Sequence, residues 1–373
     1  MQAAETLRRF GLEVGIFGEG ASNPVQVIST QAALARGEVA SCTLAVLDEC
    51  HHAPADLWST VPTALKDAGA KLLGLTGTPE RADGRGLAPL FDHIVVAAQV
   101  KDLIEMGSLV PCDWQGPVRK VPKGKLATHP LKAHQRFAGD RRNVIFAPNL
   151  KAAREWMGEF NAAGIRAGMV WGSQKTDERD ETMAAFRSGT LRVLLNVAIA
   201  TEGTDIPEIG VVTIARSIGS TGAYLQMAGR GARTFPGKTH YTLIDLRGAA
   251  FVHGRPDDDR EFSLEDLGIS SGSGTGIVGD RVCKICKKAI VEDVCPHCGK
   301  DNGAEVPGDA GIEIGKWDAK REKDNSPDKR ALQLAAWMRK FPGKKPGFYG
   351  FRYKAVYGHF PTGDVLAMAR MLA

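Results

Sequence analysis

Val46-Leu47-Asp48-Glu49-Cys50-His51-His52 is the stretch on which the reading of this chain turns. The apolar run from Leu44 that stops at two adjacent carboxylates reads as a short strand with Asp-Glu at its carboxyl end. In α/β sheets that end is where ligands gather. Paired carboxylates there suit a hydrated divalent cation and a polarised water. An acidic turn before a helix would account for Asp-Glu alone. It does not account for the Cys-His-His that follows, nor for Leu75-Thr76-Gly77-Thr78-Pro79 further on.

Outward from this point the chain alternates. Leu12 to Phe17, Val25 to Ser29, Leu44 to Leu47 and Lys71 to Leu75 read as strands, after an N-terminal polar-apolar helix. Helices are expected around Ala32 to Ala35 and from Ala55 to Ala68. Residues 118–135, rich in Lys, Pro, Gly and His, read as a connection. A second series follows, with strands at Val144 to Ala147, Gly168 to Trp171, Leu191 to Asn196, Val211 to Ala215 and His240 to Leu246. Leu150 to Ala163, Thr176 to Arg187 and Ala223 to Gly231 read as the helices between them. Strand-helix alternation implies parallel sheets covered on both faces, so two series imply two tandem α/β domains. The expected divisions are 1–117, a linker 118–135, a second domain 136–269, and a Gly/Ser linker 270–280. A cysteine module 281–300, a linker 301–328 and a basic, aromatic module 329–373 complete the chain.

Composition sets the outer limits. With 373 residues, 43% hydrophobic and 24% charged, the chain is of ordinary globular type, which excludes a collagen-like or wholly disordered protein. No apolar run approaches a membrane span and no signal-peptide core is present, so a cytoplasmic location away from membranes is expected. Seven cysteines, four of them clustered, fit a reducing compartment and a metal better than a disulfide framework. The net charge of +5 arises in the last quarter, which points to a nucleic-acid-contacting tail.

DECHH and Leu75-Thr76-Gly77-Thr78-Pro79 resemble motifs II and III of superfamily 2 DExH-type helicases. Thr201-Glu202-Gly203-Thr204-Asp205-Ile206-Pro207 looks like motif V, and Gln226-Met227-Ala228-Gly229-Arg230-Gly231-Ala232-Arg233 fits the Q-x-x-G-R-x-x-R of motif VI. Val144-Ile145-Phe146-Ala147 stands in the place of motif IV, and Ile28-Ser29-Thr30-Gln31 resembles the Thr-x-Gln strand end before motif II. The resemblance covers about residues 10–260 and is strongest to RadD-like bacterial and phage helicases, in which two RecA-like domains are joined to C-terminal zinc modules. Gly77 departs mildly, since Ala is usual there.

This resemblance implies an ATP-dependent DNA helicase or translocase of repair, recombination or phage DNA metabolism, with its nucleotide cleft between the two lobes. Asp48 would anchor Mg²⁺ and Glu49 would orient or activate water. His51, Gln226, Gly203 and Asp205 would complete the ATP contacts. Thr76 and Thr78 would couple nucleotide state to the DNA path, which Thr30, Gln31 and Thr201 would touch. Arg230 and Arg233, three apart on one helical face, would meet the developing phosphoryl charge. Single-stranded or forked DNA is the implied substrate, with single-strand-binding or recombination proteins as further partners.

One element of the pattern is missing. No Gly-Lys-Ser or Gly-Lys-Thr precedes residue 46, although the family cradles the phosphates on such a loop. Gly237-Lys238-Thr239 lies after motif VI, lacks the upstream glycine, and reads as a turn before a strand. The chain therefore looks N-terminally incomplete. The alternative reading is a truncated or degenerate helicase-like protein that binds nucleic acid without autonomous ATPase activity.

Two features lie beyond the helicase pattern. Cys283-x-x-Cys286 and Cys295-Pro-His297-Cys298 form two knuckles, the ligand set of a closed tetrahedral Zn²⁺ site; His297 is not needed to complete it. Cys42, Cys50 and Cys112 read as plain thiols. From Lys329 to Lys354 eight Lys and Arg occur with no Asp or Glu, interleaved with six aromatics. Arg339, Lys340, Lys344, Lys345 and Arg352 would meet phosphates while Tyr349 and Tyr353 stack on bases. A small helical module that buries its own aromatics accounts for the same pattern, and both arrangements can hold together. Elemental analysis is expected to find one equivalent of Zn²⁺, lost in the Cys283→Ser, Cys295→Ser double variant. Metal content unchanged by those substitutions would remove the assignment.

Overall fold

The computed structural model describes residues 2–16, 23–36, 41–52, 59–79, 86–197, 206–265 and 306–316, together with helical positions 334–335, 338 and 369–370. The described residues divide into two compact units, those of Met1–Pro79 with Gly86–Ile94 and those of Val95–Ala373.

In the first unit, α1 (Gln2–Arg9) precedes β1 (Val14–Ile16), which pairs in parallel with β2 (Val25–Val27). Arg8 returns from α1 to donate to the Val14 carbonyl at 2.7 Å. After α2 (Thr30–Arg36), β3 (Leu44–Leu47) pairs in parallel with β4 (Lys71–Gly74) across α3 (Thr60–Asp67). One face of β3–β4 packs Ala45 and Leu72 toward Ala33, Val61 and Leu65 of α2 and α3. The other face presents Leu44, Val46, Leu73 and Leu75, each 48–54% exposed. Cover on both faces was expected from the alternation, and this face departs from it.

The second unit meets that expectation. Here β5 (Cys112–Pro117), β7 (Arg142–Phe146), β8 (Ala167–Trp171), β9 (Val193–Val197), β10 (Ile209–Ile214) and β11 (Tyr241–Asp245) run parallel in the spatial order β5-β11-β10-β7-β9-β8. β13 (Ile314–Lys316) adds an antiparallel edge beside β5, and β6 (Lys125–Leu126) pairs with β12 (Gly308–Asp309). Parallel neighbours need crossovers. These are α6 (Leu150–Ala162), α7 (Thr176–Arg187) and α8 (Thr221–Ala232), with α4 (Val100–Glu105), α5 (Pro130–Phe137) and α9 (Ala250–His253) around them. The period of two sorts each strand between two cores. Ile145, Leu195 and Val211 join Trp156 and Phe160 of α6, whereas Val144, Phe146, Leu194 and Val212 join Phe186 of α7 and Tyr224 of α8. Each fully buried large side chain contributes roughly 1.5–3 kcal/mol.

The division expected at residue 117 moves. β5 lies inside the stretch assigned to the first domain, yet it pairs with β11 of the second, Cys112 opposite Tyr241. The two supposed linkers are also structural. Leu126, Ala127, Ile312 and Ile314 are 0–4% exposed against the α6 core. Ala310 donates to the Leu126 carbonyl at 2.9 Å and Ile312 to that of Ala127 at 2.7 Å. Polar composition concealed a few apolar residues whose partners lie far along the chain.

A buried polar chain crosses this core. Thr213 Oγ1 donates to Asn143 Oδ1 at 3.0 Å, so Asn143 Nδ2 donates to His134 Nδ1 at 3.1 Å, which requires neutral imidazole. Burial, aided by the Arg192 charge, holds the His134 imidazole down at about 4. The unfolded histidine titrates near about 6.5, so between the two values only the unfolded chain takes up the proton. The contribution is complete above the unfolded value and is lost as pH falls toward 4, about 3 kcal/mol in total. Urea unfolding at pH 7.5 and 5.0 should show this acid loss in the native protein and its absence in His134→Gln. Equal acid slopes would disprove it.

Candidate functional site

The β3 strand ends at Asp48 and Glu49, where the backbone turns sharply. Glu49 has φ +48°, the positive value found at a non-glycine among the described residues. Its amide donates to Asp48 Oδ1 at 3.0 Å. A side chain held in the left-handed region costs on the order of 1 kcal/mol and persists only where its surroundings over-determine it. The surroundings here are the continued strand ladder, with Leu75 N donating to the Leu47 carbonyl and Cys50 N to that of Leu75, both at 2.9 Å. The next turn, Cys50–His52, is a single 3₁₀ turn.

That turn places His51 in a relay. Its Nδ1 lies 2.9 Å from Thr76 Oγ1 and 3.4 Å from Glu49 Oε2. Thr76 Oγ1 spends its one hydrogen on the Thr78 carbonyl at 2.9 Å and accepts the Thr78 amide at 3.1 Å. His51 Nδ1 is therefore the donor to Thr76. His51 and Thr78 are both buried. The relay thus joins the Asp-Glu turn to the Thr76–Thr78 loop across the ends of two neighbouring strands. Cys50 packs beneath it against Gly74, where an added Cβ would stand 2.7 Å from its sulfur. Burial and the Glu49 charge push this thiol up to about 11, and burial pushes Cys112 up to about 12. Cys42, Cys50 and Cys112 are all free. At Gly77 a Cβ would meet nothing within 4 Å, so the space itself tolerates alanine there. Thr30 and Gln31 lie in the first turn of α2, whose start Ser29 caps by accepting the Ala32 amide at 3.2 Å.

In the second unit Ser220 caps α8, accepting the Ala223 amide at 3.2 Å, and the helix carries Gln226 and Arg230. Arg233 corrects the expectation of two arginines on one helical face. The helix ends at Ala232, and Arg233 leaves it with φ −63° and ψ 141°. Its backbone bridges Leu109 in antiparallel fashion, beside the Val110 amide that donates to the Ala232 carbonyl at 2.7 Å. A neighbouring strand edge thus captures the residue before another helical turn can form. Gly231 is a packing glycine, since a Cβ there would lie 2.3 Å from the Tyr241 ring, while Gly229 faces open space.

Residues 130–235 match the helicase conserved C-terminal domain. That match lies within the second unit. A 51.5 kDa protein of a Lactococcus phage is 26% identical over 285 residues, covering 70% of this chain and 62% of its own. IRC3 of Saccharomyces cerevisiae, whose name proposes an ATP-dependent helicase, is 27% identical over 273 residues, 62% of this chain and 39% of its own. Its Schizosaccharomyces pombe namesake, named as a proposed mitochondrial ATP-dependent helicase, is 30% identical over 231 residues, 54% and 38% respectively. The chain spans between 38 and 62% of the length of these three relatives. The matched domain and these relatives support a superfamily 2 helicase. The match begins at Pro130, the first residue of α5, inside the stretch read as a linker.

Thr201, Gly203 and Asp205 lie outside the described residues, as do Cys283, Cys286, Cys295 and Cys298 and the tail residues Arg339, Lys340, Lys344, Lys345, Tyr349, Arg352 and Tyr353. Among the described residues no group of three or more His, Cys, Asp or Glu is arranged to hold a metal. No helix there is long and apolar enough to cross a membrane. Lys238 escaped notice as part of a turn. The signal for it was Pro236-Gly237, which builds a type II turn that folds Lys238 back toward α8. The two motif VI glycines separate by experiment. Gly231→Ala should lose about 1–3 kcal/mol through overpacking on Tyr241, whereas Gly229→Ala should gain up to about 1 kcal/mol from helix propensity. Urea unfolding of each variant tests this; a neutral Gly231→Ala would show that the ring gives way.

Proposed function

We propose that this chain is the motor part of an ATP-dependent superfamily 2 DNA helicase or translocase of the RadD-like kind. The observation that carries the reading is the strained Glu49 coupled through His51 to Thr76 and Thr78. An energetically costly backbone at a carboxylate, tied to a second loop by a directional relay, suits a residue whose environment changes during a reaction cycle.

In this reading Asp48 holds Mg²⁺, which would offset phosphate charge when bound. Glu49 orients the attacking water, and its proton state is felt by His51 at 3.4 Å. His51, which donates to Thr76, would divide that donation differently between Thr76 and Glu49, so the Thr76–Thr78 loop responds to the nucleotide. Gly203 and Asp205 with Gln226 contribute to ATP binding, and the permanent charges of Arg230 and Arg233 meet the transferred phosphoryl group. Single-stranded or forked DNA would run over Thr30, Gln31 and Thr201 and onto the basic, aromatic tail. The spacing of Cys283, Cys286, Cys295 and Cys298 supports a structural Zn²⁺ module beside it. Single-strand-binding or recombination proteins as partners, a part in DNA repair and a cytoplasmic setting follow from the same reading.

The second reading is nucleic-acid binding by residues 1–373 without turnover of their own, since no Gly-Lys-Ser/Thr stands among residues 1–47. Steady-state phosphate release with and without single-stranded DNA separates the two. Residues 1–373 alone should turn over weakly, and fusion to a segment bearing Gly-Lys-Ser/Thr should produce DNA-stimulated hydrolysis. Glu49→Gln should then reduce that rate by at least about 100-fold. A fused chain that binds DNA and stays idle would establish the binding-only reading.

A further inference from the structure

Lys238 occupies a position whose energetics call for a reason. The Phe235-Pro236-Gly237-Lys238 turn is closed by Lys238 N donating to the Phe235 carbonyl at 2.9 Å, with Gly237 at φ +79°. This geometry is a type II turn, which needs a residue tolerant of positive φ at its third position. It aims the Lys238 side chain back under the end of α8. There the ammonium donates to two main-chain carbonyls, Arg233 at 2.8 Å and Pro207 at 2.9 Å.

These carbonyls belong to different segments. Arg233 ends the Gln226–Arg233 stretch, and Pro207 ends the Thr201–Pro207 stretch just before β10. An ammonium carries three donors, so one group satisfies both carbonyls and sets their separation. Burying the charge is costly. Burial holds the ammonium down at about 8, with Glu208 favouring the charge and Arg233 opposing it. Glu208 is itself ion-paired with Arg142 at 3.7 Å. The Arg233 backbone is thus held from two sides, by the Leu109 bridge and by Lys238.

We propose that Lys238 is a positioning residue that fixes Arg233 relative to Pro207 at the entry to β10, and so sets where Arg233 stands for phosphoryl transfer. The inference rests on the nucleotide-hydrolysing reading above. Lys238 acts through the backbone of Arg233 and touches no substrate. A lysine that served the fold alone would change stability when replaced; a positioning lysine also changes the chemical step more than substrate binding.

Lys238→Met keeps the aliphatic stem and removes the donors, whereas Lys238→Arg keeps a charged fork able to reach both carbonyls. In hydrogen exchange of the full chain, Lys238→Met should speed exchange about tenfold in residues 206–210 and 231–235 and leave β9 unchanged. Lys238→Arg should stay near the native rates. In DNA-stimulated hydrolysis by the full chain with the phosphate-loop segment added, Lys238→Met should lower kcat about tenfold and shift the KM for ATP far less, with Lys238→Arg restoring most of the loss. Unchanged exchange in both segments overturns the tie. Faster exchange with native kcat, or a loss confined to KM, overturns the positioning role. Absence of hydrolysis in the unsubstituted protein overturns instead the reading on which the inference rests.

Discussion

A parallel sheet buried on both faces leaves its peptide groups no water to turn to, so each must find its partner in a neighbouring strand. In the second unit this requirement holds β7 and β10 in register, Val144 beside Val212 and Phe146 beside Ile214, with aliphatic side chains filling both cores. Burying a polar group in that interior is costly unless it is hydrogen-bonded. The Thr213–Asn143–His134 chain meets the condition with the imidazole neutral, and Asp245 meets it by accepting the amides of Arg247 and Ala250. The helix caps and loops that carry functional side chains stand where this sheet places them.

The first unit shows a different balance. Its β3–β4 pair is covered by α2 and α3 on one face, and the functional turn projects from the strand ends. Glu49 keeps its left-handed backbone because the ladder continues past the strand through Leu75 and Cys50. Gly74 permits this, since a side chain there would collide with Cys50 and Phe91. Backbone pairing, a missing Cβ and an imidazole–hydroxyl relay thus combine to hold one carboxylate.

The ends of the second unit are closed by chain segments remote in sequence. Residues 306–316 add β13 beside β5 and lay Ile312 and Ile314 into the α6 core. Gln99 and Arg260 likewise tie distant segments, with Gln99 Nε2 donating to the Arg260 carbonyl at 2.8 Å and Gln99 Oε1 accepting the Arg260 amide at 3.1 Å. Arg233 is caught between Leu109 and Lys238 in the same manner.

By itself the sequence determined what depends on near neighbours. The period of apolar residues located β3 and α7 at Leu44–Leu47 and Thr176–Arg187, and adjacent residues alone put Asp48 and Glu49 at a strand end. Pro236-Gly237 dictated a turn for the same reason. What only the tertiary structure decided rests on partners more than a hundred residues apart. Leu126 and Ile312 leave the supposed linkers because they find each other's segments, and β5 joins the second unit because its ladder partner is β11. Arg233 stands outside the helix that carries Arg230, its backbone bridged to Leu109. No local pattern encodes such encounters, since burial and main-chain pairing between distant segments are settled by packing after the chain has collapsed.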